Sequence, residues 1–125
     1  MAIKLHTVGG FNEVGKNMTC LEIGDDAVIF DQGLYLPPIV ELENPRKGNY
    51  TEKQLRQIDA LPDDSAIKSI QNKVRAILIS HAHLDHVGAV PYMAQHYNAE
   101  VAGTPYTMEI LKSLAADQNT QLKNP

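Results

Sequence analysis

Apolar and polar positions alternate along residues 2–8 and 17–23, the two-residue period of half-buried strands, and a glycine-rich loop at residues 9–16 joins them. Gly24-Asp25-Asp26 turns the chain into a third apolar run, Ala27-Val28-Ile29-Phe30-Asp31. Together these predict an antiparallel meander. Between Leu34 and Asn72 the pattern breaks: Pro37-Pro38, Asn44-Pro45 and Pro62 punctuate it and charges are frequent, which reads as a surface excursion. Within it, Thr51-Glu52-Lys53-Gln54 has the form of a capping box, and Leu55, Ile58 and Leu61 recur at helical spacing, so one short helix is expected there. Val74-Arg75-Ala76-Ile77-Leu78-Ile79 is short, β-branched and nearly all apolar, as a strand buried on both faces should be.

Further along, Val87, Val90, Met93, Ala94 and Tyr97 predict a helix over about 87–97, with Pro91 tolerated near its first turn. Residues 100–103 read as a short strand, and Thr104-Pro105 as an N-cap followed by proline at the first helical position. Met108, Leu111, Leu114 and Ala115 then mark the buried face of a last helix, whose polar tail to Pro125 should fray. The order is three strands, an excursion, then strand, helix, strand, helix: an α/β chain with a mixed sheet.

Composition narrows the class. With 125 residues and 43% hydrophobic content, the chain is at most one domain with a core of ordinary size. No run approaches the ~18 apolar residues of a membrane helix, and the first residues enter a strand without a signal peptide's apolar core, so a soluble, cytoplasmic chain with no membrane partner is expected. Cys20 is the only thiol and sits in a strand-like run, where a buried, inert cysteine fits. A net charge of −4 argues mildly against a broadly basic nucleic-acid-binding face, without excluding a local one.

The densest chemistry lies where the fourth strand stops. Ser80-His81-Ala82-His83-Leu84-Asp85-His86-Val87-Gly88 places three imidazoles and a carboxylate within six positions. Strand ends in open α/β sheets are where sites form, because loops there face a crevice while the sheet holds them still. In an extended backbone His81, His83 and Asp85 share one side and His86 points elsewhere, which suits two metals better than one. Imidazole and carboxylate donors suit Zn²⁺ first, with Mn²⁺ or Fe²⁺ as alternatives, and no thiolate argues for a structural site. His6, in a strand whose other face is core, and His96, on the predicted helix, read as structural or solvated histidines.

His81-Ala82-His83-Leu84-Asp85-His86 resembles the H-x-H-x-D-H signature of the metallo-β-lactamase fold, and Phe30-Asp31-Gln32-Gly33 stands where that family places an aspartate that orients the metal ligands. Gly9-Gly10-Phe11-Asn12-Glu13-Val14-Gly15-Lys16-Asn17-Met18 is similar to the opening of ribonuclease J, a member of the β-CASP branch. Leu61-Pro62-Asp63-Asp64, His86-Val87-Gly88-Ala89-Val90-Pro91 and Ala102-Gly103-Thr104-Pro105-Tyr106-Thr107 resemble archaeal ribonuclease J sequences in the same order. The resemblance implies an αββα sandwich and a metal-dependent ribonuclease that acts from the 5′ end of RNA and in some members also internally. Two metals, Zn²⁺ or Mn²⁺, activate a water and offset charge on the leaving oxygen. It implies His81 and His83 on the first metal, Asp85 and His86 on the second, Asp85 also contacting the attacking water, and Asp31 behind the ligands. Glu13 and Lys16, on the loop beside the metals, are candidate substrate contacts, and the family resemblance implies a homodimer.

The sequence also departs from that pattern. The family's later histidine, bridging aspartate, final histidine and inserted β-CASP domain have no counterpart in residues 1–125, which therefore read as the amino-terminal half of the sandwich, with helices on one sheet face. Two ligands per metal leave each site half-supplied, so partial or no metal occupancy and no turnover are expected of this piece alone. Half a sandwich exposes an apolar sheet face and an edge, and self-association would hide both. The metal motif alone leaves open a different hydrolase of the same fold, acting on a thioester, a lactone or the 3′ end of a transfer RNA precursor. A half-domain that binds metal or RNA without cutting is the other alternative.

Overall fold

The computed structural model describes residues 2–40 and 50–117. Asn44-Pro45 and the tail expected to fray lie outside the described residues. Five strands form one sheet in sequence order: β1 (Ile3–Gly9), β2 (Met18–Ile23), β3 (Asp26–Phe30), β4 (Val74–Leu78) and β5 (Glu100–Ala102). The first three make the expected antiparallel meander, with Cys20 opposite both His6 and Ile29. Gly24, at φ 59°, supplies the left-handed residue that a two-residue hairpin between Ile23 and Asp26 needs. β4 then runs parallel to β3, and β5 parallel to β4. The sheet is therefore mixed, and the carboxyl ends of β3, β4 and β5 share one rim.

Alternation sorts the sheet into two unlike faces. Met18, Cys20, Ala27, Ile29, Val74, Ile77 and Val101 are buried on one. Against it pack Val87, Val90, Met93, Met108 and Leu111 from α3 (Leu84–Val87), α4 (Val90–Met93) and α5 (Pro105–Asp117). Burying each large side chain contributes about 1.5–3 kcal/mol before entropy is counted. The register puts Ile3, Leu5, Leu21, Ile23, Val28, Phe30 and Leu78 together on the other face. There Ile3 is 68% exposed, Leu5 63%, Phe30 41% and Leu78 38%. So β4 is covered on one side only, and its continuous apolar run records two apolar faces rather than two buried ones.

Residues 34–40 and 50–72 correct the expectation of a surface excursion. Leu55, Ala60, Leu61, Ile67 and Ile70 belong to the core. The expected helix is present as α2 (Glu52–Gln57), with both capping-box hydrogen bonds between Thr51 and Gln54 at 2.9 and 3.1 Å. It is not alone: a short α1 (Leu36–Val40) precedes it, and a kinked 3₁₀ run, Asp64–Lys73, follows. Pro37 and Pro38 sit within α1 and Pro62 follows α2, while scattered apolar residues such as Leu55 and Ile67 are what the segment buries.

The helix expected over 87–97 is broken into α3, α4 and a 3₁₀ turn at Ala94–His96. Pro91 has no N–H to continue the ladder. In addition, the Asp85 carbonyl, which an unbroken helix would offer to Ala89, accepts instead from the Asn17 backbone N at 3.1 Å and side-chain Nδ2 at 2.8 Å, and Ala89 N donates to Gln32 O at 2.8 Å. Docking against a distant loop thus overrides the local period. At α5 the sequence pattern holds: Thr107 N donates to Thr104 Oγ1 at 3.2 Å, and Pro105 opens the helix.

At the far end of the sheet, Lys73 and His6 both reach Glu22, at 2.6 and 3.0 Å, and hold its carboxyl down to about 2. Cys20 lies beside it; burial and then the Glu22 charge push its thiol up to about 11, which leaves an inert cysteine. Among the described residues no helix is long and apolar enough to cross a membrane.

Candidate metal centre

Parallel pairing of β3 and β4 sets two residues side by side at the rim: Asp31, which follows β3, and Ser80, which follows β4. Asp31 N donates to Leu78 O at 2.9 Å, and Asp31 itself sits at φ 67°, a left-handed conformation that aspartate tolerates better than most residues. That turn swings its carboxylate inward, where it is nearly buried and accepts three hydrogen bonds. Ser80 N reaches Oδ1 at 2.7 Å, Ser80 Oγ reaches Oδ2 at 2.8 Å, and His86 Nδ1 reaches Oδ2 at 2.8 Å.

The extended-chain reasoning placed His86 away from His81. Instead the backbone becomes helical at Leu84, with His83 as N-cap, so the two-residue period ends and His86 folds back. Its ring centroid lies 4.0 Å from that of His81. The ligand atoms of His81, Asp85 and His86 all fall within 4.8 Å of one another. His83 stands outside that group, its ring 4.7 Å from His81 and nearly perpendicular to it. All four motif residues thus meet at one rim, but the tightest cluster joins His81 to Asp85 and His86 rather than to His83.

The donor set suits a divalent cation. Because the Asp31 carboxylate has lone pairs and no proton to give, His86 must donate from Nδ1, and Nε2 keeps the lone pair a metal needs. Asp85 Oδ2 lies 3.6 Å from that nitrogen. Two imidazoles and a carboxylate, with no sulfur, are a donor set that could hold a divalent cation.

Three residues that sequence reasoning left without a role shape this centre. Asn17 clamps Asp85 through the two hydrogen bonds given above, and its Nδ2 lies 3.4 Å from His86 Nε2. Gly33 N donates to Asn17 O at 3.0 Å, and a side chain on Gly33 would run into the Asp85 carbonyl. Ser80 completes the set. Asn17 and Asp85 are 68 positions apart, and no local pattern announces such a contact. Gln32, fully buried beneath the motif, has no partner for either side-chain amide atom among the described residues, a local cost of about 1–3 kcal/mol.

The remaining candidates are engaged elsewhere. Lys16 Nζ pairs with Asp59 at 3.0 Å and lies 5.3 Å from the Tyr35 ring centroid, with its side chain only 14% exposed. Glu13 Oε1 accepts from Gly10 N at 3.2 Å within the loop. Both charged ends are thus used in holding the 9–16 loop. His6 contacts Glu22, and His96 contacts Glu52 at 2.8 Å, away from the cluster.

Residues 12–124 match the Metallo-beta-lactamase superfamily. Among curated proteins, Ribonuclease J of Methanocaldococcus jannaschii is 36% identical over all of this chain and 28% of its own length, and Ribonuclease J of Pyrococcus abyssi is 42% identical over 98% and 27%. The chain thus spans under a third of the length of these relatives. Among solved structures, a metallo beta lactamase from Erythrobacter litoralis is 20% identical over 90% of this chain and 40% of its own, with a TM-score of 0.47.

Proposed function

We infer from the chain's membership of the metallo-beta-lactamase superfamily, to which it belongs, that it supplies the H-x-H-x-D-H ligands of a metal-dependent ribonuclease. The superfamily implies divalent metal binding, and His81, Asp85 and His86 form the cluster that fits it. The observation that carries the reading is this cluster backed by Asp31, in a chain that is 36–42% identical over almost its whole length to proteins named Ribonuclease J. In a protein of the relatives' length, two Zn²⁺ or Mn²⁺ ions supply the Lewis-acid chemistry of phosphodiester hydrolysis. By the family resemblance His81 and His83 would hold one ion and Asp85 and His86 the other, whereas the tightest cluster in this chain joins His81 to Asp85 and His86. Asp85 would also accept a hydrogen bond from the attacking water, and Asp31 would keep His86 in the ligating tautomer. The carboxyl-end rim of the sheet is the surface that faces RNA.

The test is cleavage of a short 5′-monophosphorylated RNA by the protein of full relative length. Expected is nucleotide release from the 5′ end that chelator abolishes, that added Mn²⁺ or Zn²⁺ restores, and that His81→Ala lowers by a factor of about 10³ or more. Hydrolysis of a thioester or lactone with intact RNA would favour the other hydrolases of this fold.

The relatives' length allows further chain to cover the face formed by Ile3, Leu5, Phe30 and Leu78, and the longer protein works as a homodimer. For residues 1–125 alone, a second copy covers that face, because an open apolar sheet surface of this kind associates in water. Sedimentation should then show a concentration-dependent dimer that Leu5→Lys disperses; a monomer at every concentration contradicts this.

A further inference from the structure

Asp31 accepts directly from only one imidazole of the cluster, His86, yet His81, whose Nδ1 faces Ser80, likewise has only Nε2 left to ligate. We propose that Ser80 is the positioning residue for His81, a hydroxyl relay that extends the grip of Asp31 to a second ring.

Counting protons gives the argument. A serine hydroxyl has one hydrogen and two lone pairs. Ser80 Oγ lies 2.8 Å from Asp31 Oδ2, an acceptor, so its hydrogen goes there. Its other close neighbour is His81 Nδ1 at 3.0 Å, and with the hydroxyl hydrogen already used, that nitrogen must be the donor. His81 is thereby held with hydrogen on Nδ1 and its lone pair on Nε2. This is the tautomer that Asp31 imposes on His86 directly. The distance from Ser80 Oγ to His86 Nδ1, 3.4 Å, is too long to compete.

Ser80 is itself pinned: its backbone N donates to the other Asp31 oxygen at 2.7 Å, so main chain and hydroxyl grip one carboxylate at two points. One buried carboxylate, reached through one serine, therefore sets the chemistry of two ligands. An unconstrained imidazole favours hydrogen on Nε2, the form that cannot bind a metal there. Without the relay, His81 should revert to it.

This deepens the metal-centre reading and rests on it only for the consequence in affinity. The tautomer is read on the full chain without metal and without RNA, so a failure of the nuclease reading leaves it standing, and its own failure leaves that reading open. The measurement is a two-bond ¹H–¹⁵N correlation of the imidazoles at about pH 9, well above the ordinary imidazole value. Expected is hydrogen on Nδ1 of His81 in the unsubstituted chain, loss of that form in Ser80→Ala, and its return in Ser80→Thr, which keeps the hydroxyl. Zn²⁺ binding to Ser80→Ala should be about 10- to 100-fold weaker. A His81 hydrogen on Nε2 in the unsubstituted chain overturns the proposal, as does an Nδ1–H that survives Ser80→Ala or fails to return in Ser80→Thr. Should Ser80→Ala not fold, the unsubstituted chain decides.

Discussion

Gly33→Ala is expected to destabilise the chain by about 3 kcal/mol and to disorder the metal-binding turn. A methyl group at this position would stand inside the contact distance of the Asp85 carbonyl and 2.9 Å from Asn17 N. Both obstacles are backbone atoms, so no side-chain rotation relieves the clash. Relief requires Asp85 to move away from Asn17, which breaks the clamp and takes His86 with it. Urea denaturation measures the stability, and loss of the His81–His86 ring contact in NMR measures the site. Gly103→Ala is the control: its methyl would meet a Thr107 methyl at 3.3 Å, and a change within about 0.5 kcal/mol is expected. Equal stabilities for the two variants would show that the turn is not packed as described.

Asp31→Asn is expected to leave the fold close to intact while weakening divalent metal binding about 10- to 100-fold. Asparagine tolerates the left-handed backbone at φ 67°, so the turn survives. Its amide, however, has only one acceptor oxygen. With that oxygen taken by Ser80, the amide NH₂ faces His86 Nδ1, which must then accept and shift its hydrogen to Nε2. The ligand atom is lost by tautomer, not by displacement. Asp31→Ala should cost more stability, about 2–4 kcal/mol, because Ser80 N, Ser80 Oγ and His86 Nδ1 all lose their acceptor and alanine resists the left-handed backbone. Zn²⁺ titration calorimetry beside thermal melts separates the two effects; parallel losses of stability and affinity in Asp31→Asn would assign the residue a purely structural role.

The motif was legible because its ligands are nearly consecutive and sit after an unmistakable strand, and the capping box at Thr51 and N-cap at Thr104 were legible because each is a local hydrogen-bond pattern. Asp31 came from family resemblance; its three hydrogen bonds depend on β3 and β4 pairing in parallel across 43 intervening residues of chain, from Phe30 to Val74, which no local period encodes. For the same reason Asn17 went unnoticed, and with it the break in the helix after His86, since a carbonyl taken by a distant amide leaves no mark in the apolar spacing. Lys16 reads in the sequence as a candidate substrate contact, and its partner Asp59, brought close only by folding, leaves no mark there. Residues 50–73 misled in the opposite sense: charges and polar residues around the single Pro62 dominate the composition, while a few isolated residues such as Ile67 do the burying.

The central claim is that His81, His83, Asp85 and His86 hold a divalent metal, and the most direct measurement is a Zn²⁺ titration of the full chain followed by ¹H–¹⁵N NMR to about 1 mM, which detects even millimolar affinity. Expected are shifts confined to those four residues, absent in His86→Ala, with the His6 and His96 rings unmoved. No shift at the motif, or equal shifts at all five histidines, would contradict it.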